Sequence, residues 1–358
     1  MSRGRVSLLL LAVTLAALLI ACAPTEKEAY KRQFFSLGTL IEISLWDVDD
    51  ERAAKAVRRV EEIVNDAHQR WHAWEPSEIT ALNTAIAEGQ SLTLSPATIA
   101  ALRRARELAA ASGQLFNPAI GRLIALWGFH SDEPPHGPPP TQAAIDALLA
   151  QAPDMDALWI EGLHAGSNNP AVQLDLGAFA KGYTVDLAIA ALRELGIENA
   201  IVNAGGDLRA IGSHGKRPWS IGIRQPADHS EGGILASIET HGDEAVFTSG
   251  DYERFFYFEG RRYHHILDPR DGFPARQVIS VTAIGADGAT ADAAVTGLFV
   301  AGPDHWQEVA QRMGITQVMM IDTDMRIYMT AEMARRVHFE IAPPAGVFIA
   351  GESPRETR

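Results

Sequence analysis

Three segments rich in small residues carry the side chains that could perform chemistry in this chain. Residues 175–182 hold an aspartate and a lysine, residues 264–272 hold two histidines and two aspartates, and residues 291–296 hold an aspartate and a threonine. Together they offer oxygen ligands for a hard cation, one lysine charge, imidazoles and accessible backbone. Such a set of groups suits a site that binds a pyrophosphate and breaks it.

Asp292 and Thr296 are four residues apart on a predicted helix, so their side chains lie on one face. A carboxylate and a hydroxyl suit Mg²⁺, which takes six oxygens and keeps places for water and substrate phosphate. The alternative is that Asp292 caps the helix and Thr296 bonds back to a carbonyl. Spacing alone leaves both interpretations open.

Residues 175–182 are predicted to link a strand at 172–174 to the start of a helix. Backbone N–H groups at a helix N-terminus point at anions, and Lys181 adds a positive charge. Gly177 and Gly182 allow close approach of a ligand. The alternative is a tight turn with Lys181 in solvent. The chain has no Walker loop and no Gly-x-Gly-x-x-Gly pattern.

His264 and His265 are adjacent on a predicted strand at 263–267, so only one of them can line a given cleft. A histidine there could take a proton from an attacking hydroxyl. A structural histidine bonded to backbone is the alternative, and a zinc site is disfavoured because no His-Glu-x-x-His occurs. Gly205 and Gly206, which follow a buried strand, favour a tight turn.

The elements that must position these residues alternate between helices and strands. A strand is predicted at 35–45, and a helix follows a cap at Asp49 or Asp50. The predicted apolar face of that helix is Ala53, Val57, Val60, Val64, Ala67 and Trp71. Further helix ends are predicted at Ser95, Gly113 and Thr141. Many short strands follow, including a hairpin of 317–321 with 326–329, which predicts a mixed α/β or α+β protein with many antiparallel strands.

The first 22 residues are predicted to be a signal peptide. Arg3 and Arg5 precede an apolar stretch at 6–20, and small residues precede Cys22. This pattern predicts a lipoprotein acylated at Cys22, with an ordinary secretory signal as the alternative. We expect a polar tether at 23–33, one domain or two intimate subdomains at 34–342, and a loose tail at 343–358.

Composition limits the classes of function. The net charge of −14 disfavours nucleic acid as a partner. Cys22 is the only cysteine, so stability must come from the core and not from disulfides within the chain. Hydrophobic residues make up 47% of the 358 residues, which is enough for a large core.

The chain resembles the ApbE-type FAD:protein FMN transferases, bacterial flavin transferases often exported as lipoproteins. The likeness runs from about residue 35 to 329 and rests on several motifs in order. These lie at 36–39, 74–83, 117–129, 175–186, 203–207, 248–254, 264–272 and 291–302.

The resemblance implies an α+β fold with largely antiparallel sheets, in the T-fold-like ApbE architecture. It also implies that FAD and Mg²⁺ bind and that a threonine hydroxyl of an acceptor protein attacks the FMN-side phosphorus. AMP leaves, and FMN stays attached through a phosphoester. The acceptors would be proteins such as subunits of membrane redox complexes, and the enzyme would be lipid-anchored and face the periplasm.

The resemblance also implies roles for individual residues. Asp292, Thr296 and the carbonyl of Ala178 match the metal ligands. Asp175 and Lys181 match FAD contacts, and the flavin or adenine pocket would include Leu37, Trp74, Leu126, Trp127, Gly128 and Ile266. His265 would activate the threonine, with Asp268 or substrate-assisted proton loss as alternatives. The chain departs from the usual family residues at Leu37, Trp74, Asn117 and Asp271.

Two other functions fit the same residues. One is a Mg²⁺-dependent FAD pyrophosphatase that uses water in place of threonine. The other is a non-catalytic lipoprotein that binds FAD.

Overall fold

A computed structural model describes residues 29–131, 133, 135–226 and 233–351. The predicted signal peptide, Cys22 and residues 23–28 of the predicted tether lie outside these ranges. Within them, no helix combines the length and the apolar character needed to cross a bilayer.

A nine-stranded sheet forms the centre of the fold, and only its last pair of strands is parallel. Its strands, in spatial order, are β1 (Tyr30–Ser36), β2 (Thr39–Leu45), β6 (Ala200–Ala204), β7 (Asp207–Ile211), β10 (Glu244–Gly250), β13 (Val278–Gly285), β14 (Gln317–Asp322), β15 (Ile327–Met329) and β17 (Val347–Ile349). The prediction of an α+β protein with largely antiparallel strands is confirmed.

Three small sheets surround the large one. One contains β3 (Leu92–Thr93), β5 (His164–Ser167) and β4 (Leu158–Glu161), and a second contains β16 (His338–Phe339), β9 (Ile234–Glu239) and β8 (Ser220–Arg224). The third is a hairpin of β11 (Phe255–Phe258) and β12 (Arg261–His264). This hairpin leads directly to the histidine motif.

The described helices are α1 (Asp50–Trp71), α2 (Glu78–Ala87), α3 (Pro96–Ser112), α4 (Gly121–Leu126), α5 (Gln142–Leu149), α6 (Ala180–Glu194), α7 (Gly288–Met313) and α8 (Ala331–Ala334), with a 3₁₀ turn at Met155–Ala157. The predicted caps at Asp49, Ser95, Gly113 and Thr141 are all present. All six predicted apolar residues of α1 are buried. Ala53, Val57, Val60 and Val64 pack with residues of β2, β6 and α6, and Ala67 and Trp71 pack in the core cluster that includes α2 and α3.

Helices α6 and α7 cross in close contact at two glycines. A Cβ atom on Gly182 would lie 2.2 Å from the carbonyl oxygen of Gly288, and one on Gly288 would lie 2.5 Å from that of Gly182. Side chains at either position would force the helices apart. The contact brings the first turn of α6 against the first turns of α7, and both carry residues of the predicted site.

Several predicted boundaries were wrong. The strand predicted at 35–45 is a hairpin, because Leu37 and Gly38 both take positive φ and reverse the chain. The strand predicted at 172–174 has only an isolated bridge, from Gln173 to Ile120. The strand predicted at 263–267 ends at His264.

The ends of the domain are also more ordered than predicted. Residues Tyr30 to Gln33 of the predicted tether belong to β1, where each has a cross-strand partner in β2. Within the tail predicted to be loose, β17 pairs with β15. The sheet therefore extends further at both ends than hydrophobic patterning indicated.

Candidate active site

A lysine and two aspartates form the charged centre of the site. Lys181, in the first turn of α6, contacts the carboxylate of Asp207, the first residue of β7, and its Nζ lies 3.8 Å from Oδ1 of Asp292 on α7. Both aspartates are buried. Burial lowers the pKa of Lys181, but the two carboxylates outweigh it and leave that pKa raised, so the lysine is charged.

Asp292 does not cap its helix. Asp287 is the N-cap of α7 and accepts from the N–H of Thr290 at 2.8 Å, while Oδ2 of Asp292 accepts from the N–H of Gly182 at 2.9 Å. Burial raises the pKa of Asp292 to about 6, because the opposing effect of Lys181 is incomplete and the charge of Asp207 acts in the same direction as burial.

Thr296 lies one turn after Asp292 and is half-buried. Its hydroxyl makes no hydrogen bond with any part of the chain that the structure describes, so it does not bond back to a carbonyl. The structure therefore excludes the alternative in which Asp292 caps the helix and Thr296 bonds back to a carbonyl. The hydroxyl is available to an external ligand.

The backbone carbonyl of Ala178 is also available. Ala178 precedes the N-cap Phe179 of α6, and no group among the described residues donates to its carbonyl oxygen; the N–H of Gly182, in the first turn of the helix, donates to Asp292. No group of three or more His, Cys, Asp or Glu in the described ranges could hold a metal. The donor set of one carboxylate, one hydroxyl and one carbonyl fits Mg²⁺, which retains water and phosphate oxygens as its other ligands.

Asp186 and Arg209 hold these elements in register, and neither was predicted as a site residue. Asp186 accepts from the N–H groups of Gly288 and Ala289 at 2.7 and 2.9 Å, and from Arg209 at 2.6 Å. A carboxylate at this helix N-terminus is favourable. Burial raises the pKa of Asp186, although these donors oppose the shift. The sequence signal that could have identified Asp186 was its place within the motif at 175–186.

His264 and His265 have different surroundings, although β12 ends at His264. His264 is buried, and its Nε2 lies 2.7 Å from the carbonyl of Ala275. Burial lowers its pKa to about 4. This residue matches the structural interpretation.

His265 is half-buried, and its Nδ1 lies 3.2 Å from the carbonyl of Arg254. A carbonyl can only accept, so Nδ1 carries the proton and Nε2 is left with its lone pair. Burial lowers the pKa of His265 to about 3, and the nearby charges of His264 and Arg254 act in the same direction. The imidazole of His265 is therefore neutral at pH 7 in the protein without ligand.

Asp268, the alternative base, is bound by Arg270. Both carboxylate oxygens accept from that guanidinium, at 2.8 Å from Nε and 2.6 Å from Nη2. Nη2 also donates to the carbonyl of Val300 on α7 at 2.9 Å. The pair joins the loop after His265 to the helix that carries Asp292, which is a structural contact.

Arg254 connects the histidine to a second part of the site. Its guanidinium donates to the carbonyls of Phe129 and Ser131 at 2.9 and 2.6 Å, and lies 5.8 Å from the ring centroid of Trp74. Its charge also opposes the burial that raises the pKa of Asp175. Arg254 was not predicted as a site residue, and the motif at 248–254 was its only signal.

A cavity of about 500 Å³ opens beside Trp74 and Asp175. Its other polar lining residues include Asn83, Arg122 and His130. Asp175 accepts from the N–H of Gly177 at 2.8 Å, which fixes its carboxylate at the cavity wall. The structure therefore places two predicted FAD contacts in one cavity.

The remaining predicted pocket residues are not among those that line this cavity. The indole of Trp127 is buried and donates to the carbonyl of Gly272 at 2.8 Å, and Ile266 is a core residue. Leu126 ends α4, and Gly128 follows with φ of 81°. Leu37 is half-buried in the β1–β2 turn. Their roles in FAD binding stay predictions.

Comparison with known proteins identifies the family. The sequence model described as "ApbE family" matches residues 37–320. The chain belongs to the ApbE family. A protein of Rhodobacter capsulatus named FAD:protein FMN transferase is 42% identical over 319 residues, and one of the same name from Vibrio cholerae is 31% identical over 320 residues.

The matched lengths differ between these relatives. The alignments cover 89% and 87% of this chain, and 60% and 93% of the Rhodobacter and Vibrio proteins, respectively. Among solved structures, the ApbE protein of Thermotoga maritima superposes with a TM-score of 0.78 at 30% identity, covering 86% of this chain and 99% of that one. Flavin transferase ApbE from Vibrio cholerae gives 0.74 at 28% identity, with the same coverage. The architecture implied by the resemblance is confirmed.

Proposed function

We propose that this ApbE-family protein transfers the FMN part of FAD to a threonine hydroxyl of an acceptor protein, with Mg²⁺, and releases AMP. The observation that carries the proposal is the cluster of Lys181 with the buried carboxylates of Asp207 and Asp292, together with the unpaired hydroxyl of Thr296 and the unpaired carbonyl of Ala178. It combines a fixed positive charge with oxygen ligands, which is the chemistry that a pyrophosphate requires.

Mg²⁺ would be held by Asp292, Thr296 and the carbonyl of Ala178. When bound, it would neutralise charge on the phosphate oxygens. Lys181 would bind the pyrophosphate as a second positive charge, and its contact with Asp207 fixes the direction of the ammonium group. The N–H of Thr248, on the adjacent strand β10, donates to the carboxylate of Asp207 at 2.9 Å and fixes its orientation.

His265 would accept the proton of the threonine hydroxyl at Nε2, since Nδ1 donates to the carbonyl of Arg254. The bond between the threonine oxygen and the FMN-side phosphorus forms as the phosphorus–oxygen bond to AMP breaks. AMP leaves with the bridging oxygen. Negative charge from bound FAD would raise the pKa of His265, opposing the burial that lowers it in the free protein.

We also propose that the protein is anchored by lipid at Cys22 and faces the periplasm. The apolar stretch at 6–20, the small residues before Cys22 and the absence of other cysteines support this. Acceptors would then be domains of membrane redox complexes on the same side of the membrane.

The test is to incubate the purified protein with FAD, Mg²⁺ and membrane proteins extracted from the source organism. Mass spectrometry would follow the proteins, and chromatography would follow the nucleotides. Gain of one FMN on a threonine supports the transferase. Free FMN and AMP without a modified protein would indicate a pyrophosphatase, and intact FAD would indicate a binding protein.

A pair of variants tests the metal site in the same assay. Asp292→Asn removes the charge that would bind the metal, so we expect loss of turnover. The amide retains an oxygen that can accept from the N–H of Gly182, so we expect an unchanged melting temperature. The control Asp304→Asn makes the same chemical change at an exposed position on the second half of α7. Normal turnover in Asp292→Asn would contradict the metal assignment.

A further inference from the structure

Arg254 contacts His265 through a single backbone oxygen. The carbonyl of Arg254 accepts from the backbone N–H of His265 at 3.0 Å and lies 3.2 Å from its ring Nδ1. These contacts extend the β11–β12 hairpin by one residue on each strand, because Phe255 and His264 form its terminal pair. The main chain and the ring of the histidine therefore share one acceptor.

Phe129 packs against the same imidazole. Its ring centroid lies 6.3 Å from that of His265, at an interplanar angle of 68°, and 6.0 Å from that of Phe256. Phe129 is 1% exposed, so its side chain has little room to move. Its carbonyl accepts from the guanidinium of Arg254 at 2.9 Å. Arg254 thus acts on the imidazole twice, through its own carbonyl and through the residue that packs against the ring.

The guanidinium of Arg254 also contacts the wall of the cavity beside Asp175. It donates to the carbonyl of Ser131 at 2.6 Å, and the preceding residue, His130, lines the cavity. It lies 5.8 Å from the ring centroid of Trp74, which lines the cavity as well. Arg254 is not itself among the described residues that line the cavity, so it connects the wall to the histidine from behind.

We propose that Arg254 is a positioning residue for the transfer reaction, and that it orients the imidazole of His265 so that Nε2 faces the incoming hydroxyl. This inference rests on the proposed function, in which His265 accepts the threonine proton. The χ2 torsion of a histidine is broad, and a turned ring would present the protonated Nδ1 or a carbon in place of Nε2. The two links to Arg254 oppose this rotation. A positioned general base contributes about 10²–10⁴-fold to a rate, which limits what its misorientation can cost.

The first test measures kinetics in Arg254→Met and Arg254→Lys. Methionine keeps an unbranched stem but donates no hydrogen bond, whereas lysine keeps the charge without the planar fork of donors. The probe is the purified acceptor that gains FMN in the experiment above. We expect kcat to fall about tenfold or more in Arg254→Met and by less in Arg254→Lys, with the Kd for FAD unchanged.

Arg276→Met is the matched control. The guanidinium of Arg276 also lies close to an aromatic ring, 4.9 Å from the centroid of Phe273, and its side chain is 55% exposed. The substitution therefore removes the same kind of group in the loop that follows His265. We expect unchanged kcat in this variant.

The second test follows the imidazole itself. NMR of the ring nitrogens in isotopically labelled protein distinguishes an Nδ1–H from an Nε2–H imidazole, and the loss of signals in His265→Gln assigns those of His265. We expect the Nδ1–H form alone in the unmodified protein and in Arg276→Met, and a mixture of both forms in Arg254→Met. Arg254→Lys, with the same changes to a smaller degree, replaces Arg254→Met if that variant does not fold.

Either an unchanged kcat or a single Nδ1–H form in Arg254→Met would overturn the proposal, as would an equal loss of kcat in Arg276→Met. Weaker FAD binding with an unchanged imidazole would make Arg254 part of the FAD site and would also overturn it. The NMR measurement needs no acceptor and no turnover. If the unmodified protein transfers no FMN, the proposed function fails, and the NMR result still decides whether Arg254 orients the ring.

Discussion

The close contact between α6 and α7 makes Gly182→Ala a severe change for a single methyl group. The added Cβ would lie 2.2 Å from the carbonyl oxygen of Gly288 and 2.7 Å from Cβ of Asp292, whereas apolar contacts are optimal at about 3.5–4.0 Å. The helices must therefore separate by roughly 1 Å. Overpacking of this kind costs about 1–3 kcal/mol of stability.

The same displacement changes the site, because Lys181 and Asp292 lie on the two helices that separate. A shift of about 1 Å in groups that position a substrate can reduce the rate about 100-fold. We expect Gly182→Ala to remain folded at 25 °C, to unfold at a lower urea concentration and to lose about 100-fold in kcat/KM for FAD.

Gly297→Ala is the matched control on α7. Its added Cβ would lie 3.3 Å from Cβ of Ser112, so a shift of a few tenths of an ångström is enough to accept it, and alanine favours the helix by up to about 1 kcal/mol. We expect this variant to keep its activity and to lose much less stability than Gly182→Ala. Unchanged stability and rate in Gly182→Ala would refute the argument that this helix contact positions the site.

Three further predictions concern a turn, the metal site and a buried histidine. Leu37→Asn should stabilise the protein by about 1 kcal/mol in urea unfolding, because asparagine tolerates the positive φ of this turn better than leucine. It should also weaken FAD binding; unchanged FAD affinity would remove Leu37 from the pocket. Below pH 6, where Asp292 becomes protonated, the Mg²⁺ concentration for half-maximal activity should rise about tenfold per pH unit, and a flat dependence would argue against this ligand. The folded-state pKa of His264, about 4, lies below its ordinary value of 6.5, so the unfolded chain binds the proton first and the stabilisation is lost as pH falls from 6.5 to about 4. Unfolding free energies should show a fall of about 3 kcal/mol that is absent in His264→Gln; equal slopes in both proteins would contradict it.

Local signals in the sequence predicted local structure well. The stripe on α1 and its cap at Asp49 are confirmed, because both depend on residues within a few turns of each other. The β1–β2 turn was missed, since its leucine is an unusual residue for positive φ. The one turn signal there was Gly38, and the apolar pattern on both sides of it favoured a single strand.

The sequence motifs named some residues of the candidate site, but none of the contacts between them. Lys181 and Asp292 were predicted from their motifs, yet Asp207 was seen only as part of a turn, and its contact with Lys181 joins residues 26 positions apart. Arg254 reaches carbonyls more than 120 positions away. Contacts of this kind depend on how the sheet is assembled, which no local pattern encodes.

The most direct measurement of the central claim follows the phosphorus atom that is attacked. FAD radiolabelled at its FMN-side phosphate would be incubated with the protein, Mg²⁺ and an acceptor, and the products separated. We predict that the label appears on an acceptor threonine while unlabelled AMP is released in equal amount. Label found only in free FMN, or retained in FAD, would contradict the account.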